Sequence, residues 1–377
     1  MSLRIAGLGW VTPLGSQIDS VWDRLCAGEE AVARDLSSPL GDHVYAAYLA
    51  TADATASLPP HPRLRRSSAI SRFAAVAGLA ALRDAGIEMN EVVAHRTALI
   101  FAISNGGVVY TKRFYHEIVE TGAQAASPLL FPETVFNAPA SHLAAILGIT
   151  GTSYTVVGDG AVGLLAIKMA EDLMHDESLD QCLVVGAEEA DWLLCDAYRR
   201  WRLLRQRPPI ELFADRPRGT VLSEGAGAIV VGRRGDVQLD AVHPGLNFPA
   251  QHDAAAGVSE VMGRLSRYTV DFISVSANGT FIDAAERTAI ERYYPSAAIY
   301  AVKGALGDSV GAGSLWQVIC AALGLHRNQI PGNLHAPEYS GAQLAATPDQ
   351  RPPFRRSLVC ACGMNQQIAG LVLSLAK

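Results

Sequence analysis

The chain has 377 residues, 49% of them hydrophobic and 34 of them glycine, which is enough to bury a large core in one large or two medium domains. Its formal net charge of -6 argues against nucleic acid as the main ligand, because phosphate contact needs clustered basic residues. The 6 cysteines, at positions 26, 182, 195, 320, 360 and 362, form no CxxC pair and show no metal-ligand spacing. They read as small core residues of a reducing cytoplasm. No apolar run reaches the roughly 18 residues of a membrane span, and the first residues enter a strand with nothing like a signal peptide.

In chain order, residues 3–8 predict a strand, followed by a Pro-Gly turn and a helix. Ser16 or Asp19 is expected to cap that helix, and Val21, Trp22 and Leu25 form its apolar stripe. Residues 36–62 read as an irregular surface excursion. Residues 71–85 predict an Ala-rich helix stopped by Gly86. Residues 96–104 predict a buried strand ending in Asn105-Gly106-Gly107, and a helix begins near Tyr110. Residues 131–148 give a loop and a small-residue helix. Strands are expected at residues 182–186 and 228–231, and Arg233-Arg234-Gly235-Asp236 reads as a connector. The dense basic run from Arg199 to Arg207 reads either as a solvated face or as a surface for an acidic carrier protein or a phosphopantetheine phosphate.

The second half repeats this grammar. Strands at 273–276 and 299–302 lead into Ala277-Asn278-Gly279 and Lys303-Gly304. Helices are expected at 283–293 and from Leu315, a turn at 360–363, and a closing strand at 371–375. Alternating strands and helices imply an α/β protein with helices on the sheet faces.

Residues 151–174 organise the rest. Residues 152–157 predict a short buried strand, Gly158-Asp159-Gly160 a sharp turn, and the run from Ala161 a mostly buried helix. Strand, turn and helix present one residue at a helix N-terminus, where backbone N–H groups activate a thiolate or hold an anion. The residue presented here is Gly160, which has no side chain.

Several motifs in order resemble the β-ketoacyl synthase family. They are Gly7-Leu8-Gly9 with Val11-Thr12-Pro13-Leu14-Gly15, Phe136-Asn137-Ala138-Pro139-Ala140, and Arg218-Gly219-Thr220-Val221 running to Glu224-Gly225-Ala226-Gly227. Lys303 with its Gly-rich turn and the Gly363 turn follow in sequence. The resemblance implies a thiolase-like duplicated α/β sandwich of two similar halves, with the boundary near residues 235 and 236: 1–235 and 236–377. It also implies a Cys nucleophile and two His residues for condensation. Those positions fall here on Gly160, Asn278 and Asp308, and only the lysine, Lys303, is kept. A glycine forms no thioester, Asn278 does not titrate, and an ionised Asp308 repels a malonyl carboxylate.

The class in the family that this pattern resembles is the chain-length factor, a non-catalytic cytoplasmic subunit that forms a heterodimer with a catalytic ketosynthase. Such subunits serve fatty-acid-like, polyketide or aryl-polyene synthesis. The resemblance implies no cofactor, only acyl chains presented on the phosphopantetheine of an acyl carrier protein. Tyr110, Phe114 and Ile118, at i, i+4 and i+8 of one helix, read either as core or as lining of the acyl tunnel at the interface. Two alternatives remain. One is a re-tooled hydrolase or malonyl decarboxylase using Lys303, Asp308 and Asn278; the other is a homodimeric acyl-binding pseudoenzyme. Lys303 and Asp308 are expected to form an ion pair, Asp159 a helix cap, and Glu224 a partner of backbone or Arg218. His116 and His142 read as ordinary helix residues.

Overall fold

Gly7 and Gly9 explain how the first layer forms. A β-carbon at either would stand 2.2 Å from the carbonyl oxygen of Ala81 or 2.1 Å from that of Ala77, so only glycine lets the Ala-rich helix lie directly on the first strand. The computed structural model describes residues 2–337 and 353–376 together with Leu344, apart from Leu40 and Arg66. Residues 1 and 377, the outer ends of the two expected halves, lie outside the described residues.

The first half runs β1 (Arg4–Val11), α1 (Ile18–Cys26), β2 (Ala33–Ser37), β3 (Val44–Tyr48), α2 (Ala69–Asp84), α3 (Glu91–His95) and β4 (Thr97–Ile103). It continues through α4 (Val108–Thr121), α5 (Ala138–Leu147), β5 (Ser153–Val157), α6 (Val162–Leu173), β6 (Gln181–Glu188), α7 (Trp192–Arg200) and β7 (Gly225–Gly232). The second half runs β8 (Val237–Val242), β9 (Leu246–Asn247), α8 (Ala254–Leu265), β10 (Phe272–Ser274), α9 (Phe281–Tyr293) and β11 (Ala298–Tyr300). It ends with α10 (Lys303–Leu306), α11 (Gly313–Arg327), β12 (Arg356–Cys362) and β13 (Gln367–Leu375).

The duplication expected from the sequence is written in the strand order. From its outer edge the first half reads β5-β4-β6-β7-β1, and the second reads β11-β10-β12-β13-β8. In each half the first two pairings are parallel and the next two antiparallel. The halves join through a short β1–β8 pairing at Arg4, Ile5, Val237 and Gln238. Helices α6 and α11 each touch strands of both halves, while α2 covers the first half and α8 the second. α11 is buried from Gly313 to Leu325, which its apolar circumference permits.

The two outer edges differ. β11 is buried throughout, and the Asn333 side chain beyond it accepts from the Ala301 N–H at 2.9 Å and donates to the Ile299 carbonyl at 2.7 Å. β5 pairs only with β4, and its outer edge has no partner among the described residues. Tyr154 and Val157 on it are 46% and 50% exposed. The expectation of a buried strand at 152–157 is therefore corrected: β-branched and aromatic content marks a strand but does not distinguish an interior one from an edge awaiting a partner.

Three further expectations are revised. An antiparallel hairpin, β2–β3, runs into residues 36–62, and its Tyr45, Ala46, Ala47 and Tyr48 are buried without alternation, which hid the strand. Cys360, Ala361 and Cys362 end β12 rather than forming a turn, and the turn starts at Gly363. Neither Ser16 nor Asp19 caps α1; the N-cap is Gln17, without a side-chain hydrogen bond, and Asp19 instead pairs with Arg327.

Candidate functional site

The turn between β5 and α6 brings Gly160 against the turn after β12. A β-carbon at 160 would lie 3.0 Å from the Cα of Gly363 and 3.7 Å from the carbonyl oxygen of Cys362. The chain thus presents bare backbone where strand, turn and helix converge, and a second turn has closed onto it.

Beside this point the ends of β10 and β11 and the start of α11 bring Asn278, Lys303 and Asp308 together, as the sequence reading requires. Lys303 Nζ stands 2.9 Å from Asp308 Oδ1, with both side chains 3% exposed. Asn278 Nδ2 donates to Asp308 Oδ2 at 2.6 Å, and its Oδ1 accepts from the Thr280 backbone N–H at 3.2 Å and the Thr280 hydroxyl at 2.6 Å. The Asp308 backbone is fixed from both sides, by the Val221 carbonyl at 2.9 Å and the Ser223 N–H at 3.1 Å. Each polar side-chain atom of Asn278 and Asp308 is therefore engaged inside the pocket.

Asp283, a residue that sequence reasoning did not single out, holds this corner in place. Its carboxylate accepts from the backbone N–H groups of Phe213 at 2.7 Å, Asn278 at 2.8 Å and Gly279 at 3.1 Å. Burial still pushes its pKa up to about 6, with those amides and Lys303 pulling the other way. Glu286 next to it accepts from Ser276 N–H at 2.8 Å, and burial, reinforced by Asp283, pushes its pKa up to about 8.

Asp159 does not cap α6. Its Oδ2 accepts from the Asn365 N–H at 2.6 Å, and its own N–H donates to Gln367 Oε1 at 2.6 Å, so it fastens the turn after β12. Burial pushes its carboxyl pKa up, the nearby Asp308 charge adds to this, and the Asn365 amide offsets part of it. Cys362 is the thiol that linear sequence could not bring near Gly160. It is fully buried, and burial together with Glu286 and Asp159 raises its pKa well above the usual thiol value, against the pull of Lys303. A thiol held protonated in this way is not an activated nucleophile.

Tyr110, Phe114 and Ile118 share one face of α4, but no residue of that helix is fully buried. The Tyr110 hydroxyl donates to the Ser67 carbonyl at 3.4 Å, and the Phe114 ring meets Phe131 with centroids 5.7 Å apart. Beyond Val108, which packs against the core, α4 lies on the short turns Ala123–Ala125 and Phe131–Thr134. Tyr115 and Val119 on it, and Leu129, Phe131, Val135 and Phe136 in the segment that follows, are exposed apolar side chains.

The other sequence candidates resolve plainly. His116 is exposed, but His142 is more than an ordinary helix residue. Its Nε2 lies 2.5 Å from Glu133 Oε1, and Glu133 also accepts from the Ser68 N–H at 3.1 Å. Burial raises the Glu133 pKa, yet the His142 and Ser68 bonds outweigh it and leave the carboxyl below its usual range. Glu224 accepts from Ala50 and Ala190 N–H groups at 3.1 and 3.2 Å; Arg218 instead faces Glu211 at 3.7 Å. The basic run is largely neutralised, with Arg199 and Arg200 on Asp196, Arg205 on Glu211 and Arg207 on Asp35. No described helix is long and apolar enough to cross a membrane.

The sequence profile of the β-ketoacyl synthase N-terminal domain matches residues 2–236, and that of the C-terminal domain matches residues 234–337. The chain belongs to the β-ketoacyl synthase family. Among relatives in that family, it is 25% identical over 353 residues to nodulation protein E of Rhizobium leguminosarum bv. trifolii, covering 87% of each chain. To 3-oxoacyl-(acyl-carrier-protein) synthase 2 of Coxiella burnetii it is 25% identical over 382 residues, covering 92% of this chain and 91% of the relative. Among solved structures, a β-ketoacyl synthase from Burkholderia phymatum superposes with a TM-score of 0.87 at 18% identity, covering 100% of both chains. The ishigamide ketosynthase/chain length factor gives a TM-score of 0.86 at 19% identity, covering 100% of this chain and 99% of that one. A ketosynthase in complex with its chain length factor from Xenorhabdus doucetiae gives 0.82 at 18% identity, covering 100% and 98%. These likenesses place the chain in the thiolase-like α/β fold.

Proposed function

We propose that this chain is a non-condensing, chain-length-factor-like subunit that pairs with an active β-ketoacyl synthase and shapes the space around the growing acyl chain. The carrying observation is Gly160 beside the closed Lys303–Asp308–Asn278 network. Condensation needs a nucleophile to carry the acyl group and donors aimed at a developing enolate oxygen. Glycine supplies no nucleophile. The Asn278 amide donates to Asp308 rather than into open space, and Asp308 is itself an acceptor.

The open edge of β5 and the exposed apolar side chains on and after α4 support pairing with a second chain. On this reading the partner carries the cysteine, and a phosphopantetheine carrier protein delivers acyl groups to that partner. Fatty-acid-like, polyketide and aryl-polyene products all fit. The neutralised basic run on this chain is a poor landing place for an acidic carrier. A re-tooled hydrolase or decarboxylase at Lys303, Asp308 and Asn278 draws no support from side chains already bonded to one another.

Co-expression with candidate ketosynthases, followed by native mass measurement and acylation from an acyl carrier protein, tests the proposal. The expected result is a one-to-one complex with the acyl group on the partner's cysteine and none on this chain. Capture of no ketosynthase and a stable homodimer would favour an acyl-binding pseudoenzyme. Thioester turnover by the isolated chain would overturn the non-condensing reading in favour of a re-tooled enzyme.

A further inference from the structure

We propose that a cavity at the opposite end of the first-half sheet from Gly160 binds a small organic carboxylate, with its charge on Arg234 and its apolar body against Ala6, Ala85, Ile87 and Val230. The inference holds whether or not the chain pairs with a ketosynthase.

β4, β5 and β6 run parallel, and Gly160 follows their C-terminal ends. The cavity lies instead where β6 begins and β7 ends, beside the end of α2, and has a volume of about 440 Å³. That is the size of a small-molecule site. Ala6 is the extra residue of a bulge: Ile5 pairs with Val231 and Gly7 with Val230, so Ala6 has no opposite residue on β7. Ala6, Ala85 and Ile87 pack at the margin of the first-half core yet are only half-buried, so apolar surface runs on into the cavity. Gly232 adds room. A β-carbon there would meet nothing nearer than the Asp180 carbonyl oxygen at 3.5 Å and Gln181 Cβ at 3.8 Å, both from residues that line the cavity.

Charge decides the class of ligand. The charged residues of the wall are Asp180, Arg233 and Arg234. Both Asp180 carboxylate oxygens are held by Arg96, Oδ2 by Nε at 2.6 Å and Oδ1 by Nη2 at 2.7 Å. Those bonds keep its carboxyl below the usual range against slight burial, and the Arg233 and Arg234 charges add to the effect. Arg233 donates to the Leu179 carbonyl at 2.6 Å and to that of Met174 at 3.5 Å. Arg234 is exposed, and its guanidinium makes no hydrogen bond or ion pair among the described residues. Three guanidinium groups thus surround one carboxylate that is already doubly bonded, and positive charge is left over. The Ala81, Leu82 and Arg83 carbonyls at the end of α2 are taken by the Ala85, Ile87 and Gly86 amides, so these acceptors do not face the anion. A free guanidinium fork matches a carboxylate, and the half-buried apolar floor beside it suits a flat or slender body.

Ligand-observed NMR titration of the full chain with benzoate and hexanoate tests the site. Acetate serves as the charge without a body, and benzyl alcohol as a body without the charge. Benzoate or hexanoate should bind saturably with a Kd on the order of 1 mM, which is what so few atoms can supply. Arg234→Gln should weaken that binding at least about tenfold. Gly232→Leu, which fills the cavity from its floor, should abolish it. Arg207→Gln, at a surface arginine paired with Asp35 outside the cavity, should leave it unchanged. The proposal is overturned if neither acid binds saturably, or if acetate or benzyl alcohol binds as tightly as the acids. Equal weakening by Arg207→Gln overturns it too, because attraction would then be a property of the whole surface. Should Gly232→Leu fold poorly, Arg234→Gln on the exposed rim decides alone, and an unchanged affinity there sinks the assignment.

Discussion

Gly160 and Gly363 approach so closely that a β-carbon on the first would stand 3.0 Å from the Cα of the second. The absent side chain at 160 is therefore matched by absent room. Gly160→Cys must push the turn outward, and overpacking of this kind costs about 1–3 kcal/mol. The variant should melt at a lower temperature than wild type, and intact mass after incubation with an acyl carrier substrate should show no adduct at residue 160. Condensation should stay absent, since Asn278 and Asp308 supply no imidazole.

The Lys303–Asp308 pair should behave as a structural unit. Removing one partner leaves a buried charge uncompensated, so Lys303→Met should destabilise by about 3–5 kcal/mol. Lys303→Met combined with Asp308→Leu should recover a large part of that loss, giving a strong coupling energy in a double-mutant cycle measured by urea unfolding. Additive losses would mean that the two side chains act independently.

Glu189 gives a pH-dependent signature. Its carboxylate meets no hydrogen-bond donor among the described residues, and burial, reinforced by Glu224 and Asp191, pushes its pKa up from 4.5 to about 7. A folded value above the unfolded one means that the ionised form opposes folding. The penalty is complete above about 7, shrinks as pH falls through that value, and is gone below 4.5. Glu189→Gln should therefore stabilise the chain by about 1–3 kcal/mol at pH 8 and by almost nothing at pH 4. Paired chemical melts at the two pH values measure this.

Val157→Glu on the open edge should separate assembly from folding. Val157 is 50% exposed, so the isolated chain should change in stability by less than about 0.5 kcal/mol. Size-exclusion and native mass measurements should show the complex with a ketosynthase lost or sharply weakened. An intact complex would place the interface elsewhere.

Phe114→Ala tests the tunnel. Phe114 is only half-buried, so the stability loss should fall below the roughly 3–5 kcal/mol typical of a core phenylalanine. With its partner, the variant should yield longer acyl products. Unchanged product length would return the residues 110–118 stripe to a packing role.

The strand and helix grammar was legible because its signals are local: the Gly158-Asp159-Gly160 turn, the Ala-rich α2, and the repeated strand-to-glycine endings. The Lys303–Asp308 pair was legible too, since five residues across a glycine turn bring opposite charges together. What escaped depended on distant chain segments. Cys362 lies 202 positions from Gly160 in the sequence (362 minus 160), and the sheet order sets β12 far from β5; the packing of α6 against β13 brings their turns together. Asp159 looked like a cap because its donor, Asn365, comes from the far end of the chain. His142 looked solitary because Glu133 reaches it only through the fold of an irregular turn. The exposure of β5 escaped for another reason: a strand suited to burial reads the same whether its neighbour is present or still to come.

The unequal edges of the duplicated sheet set the arithmetic of growth. With Asn333 closing off β11 and nothing described beyond β5, the slab can be extended from one end only. Two such slabs meeting open end to open end leave no free terminus, so addition halts at two bodies instead of continuing into a fibre.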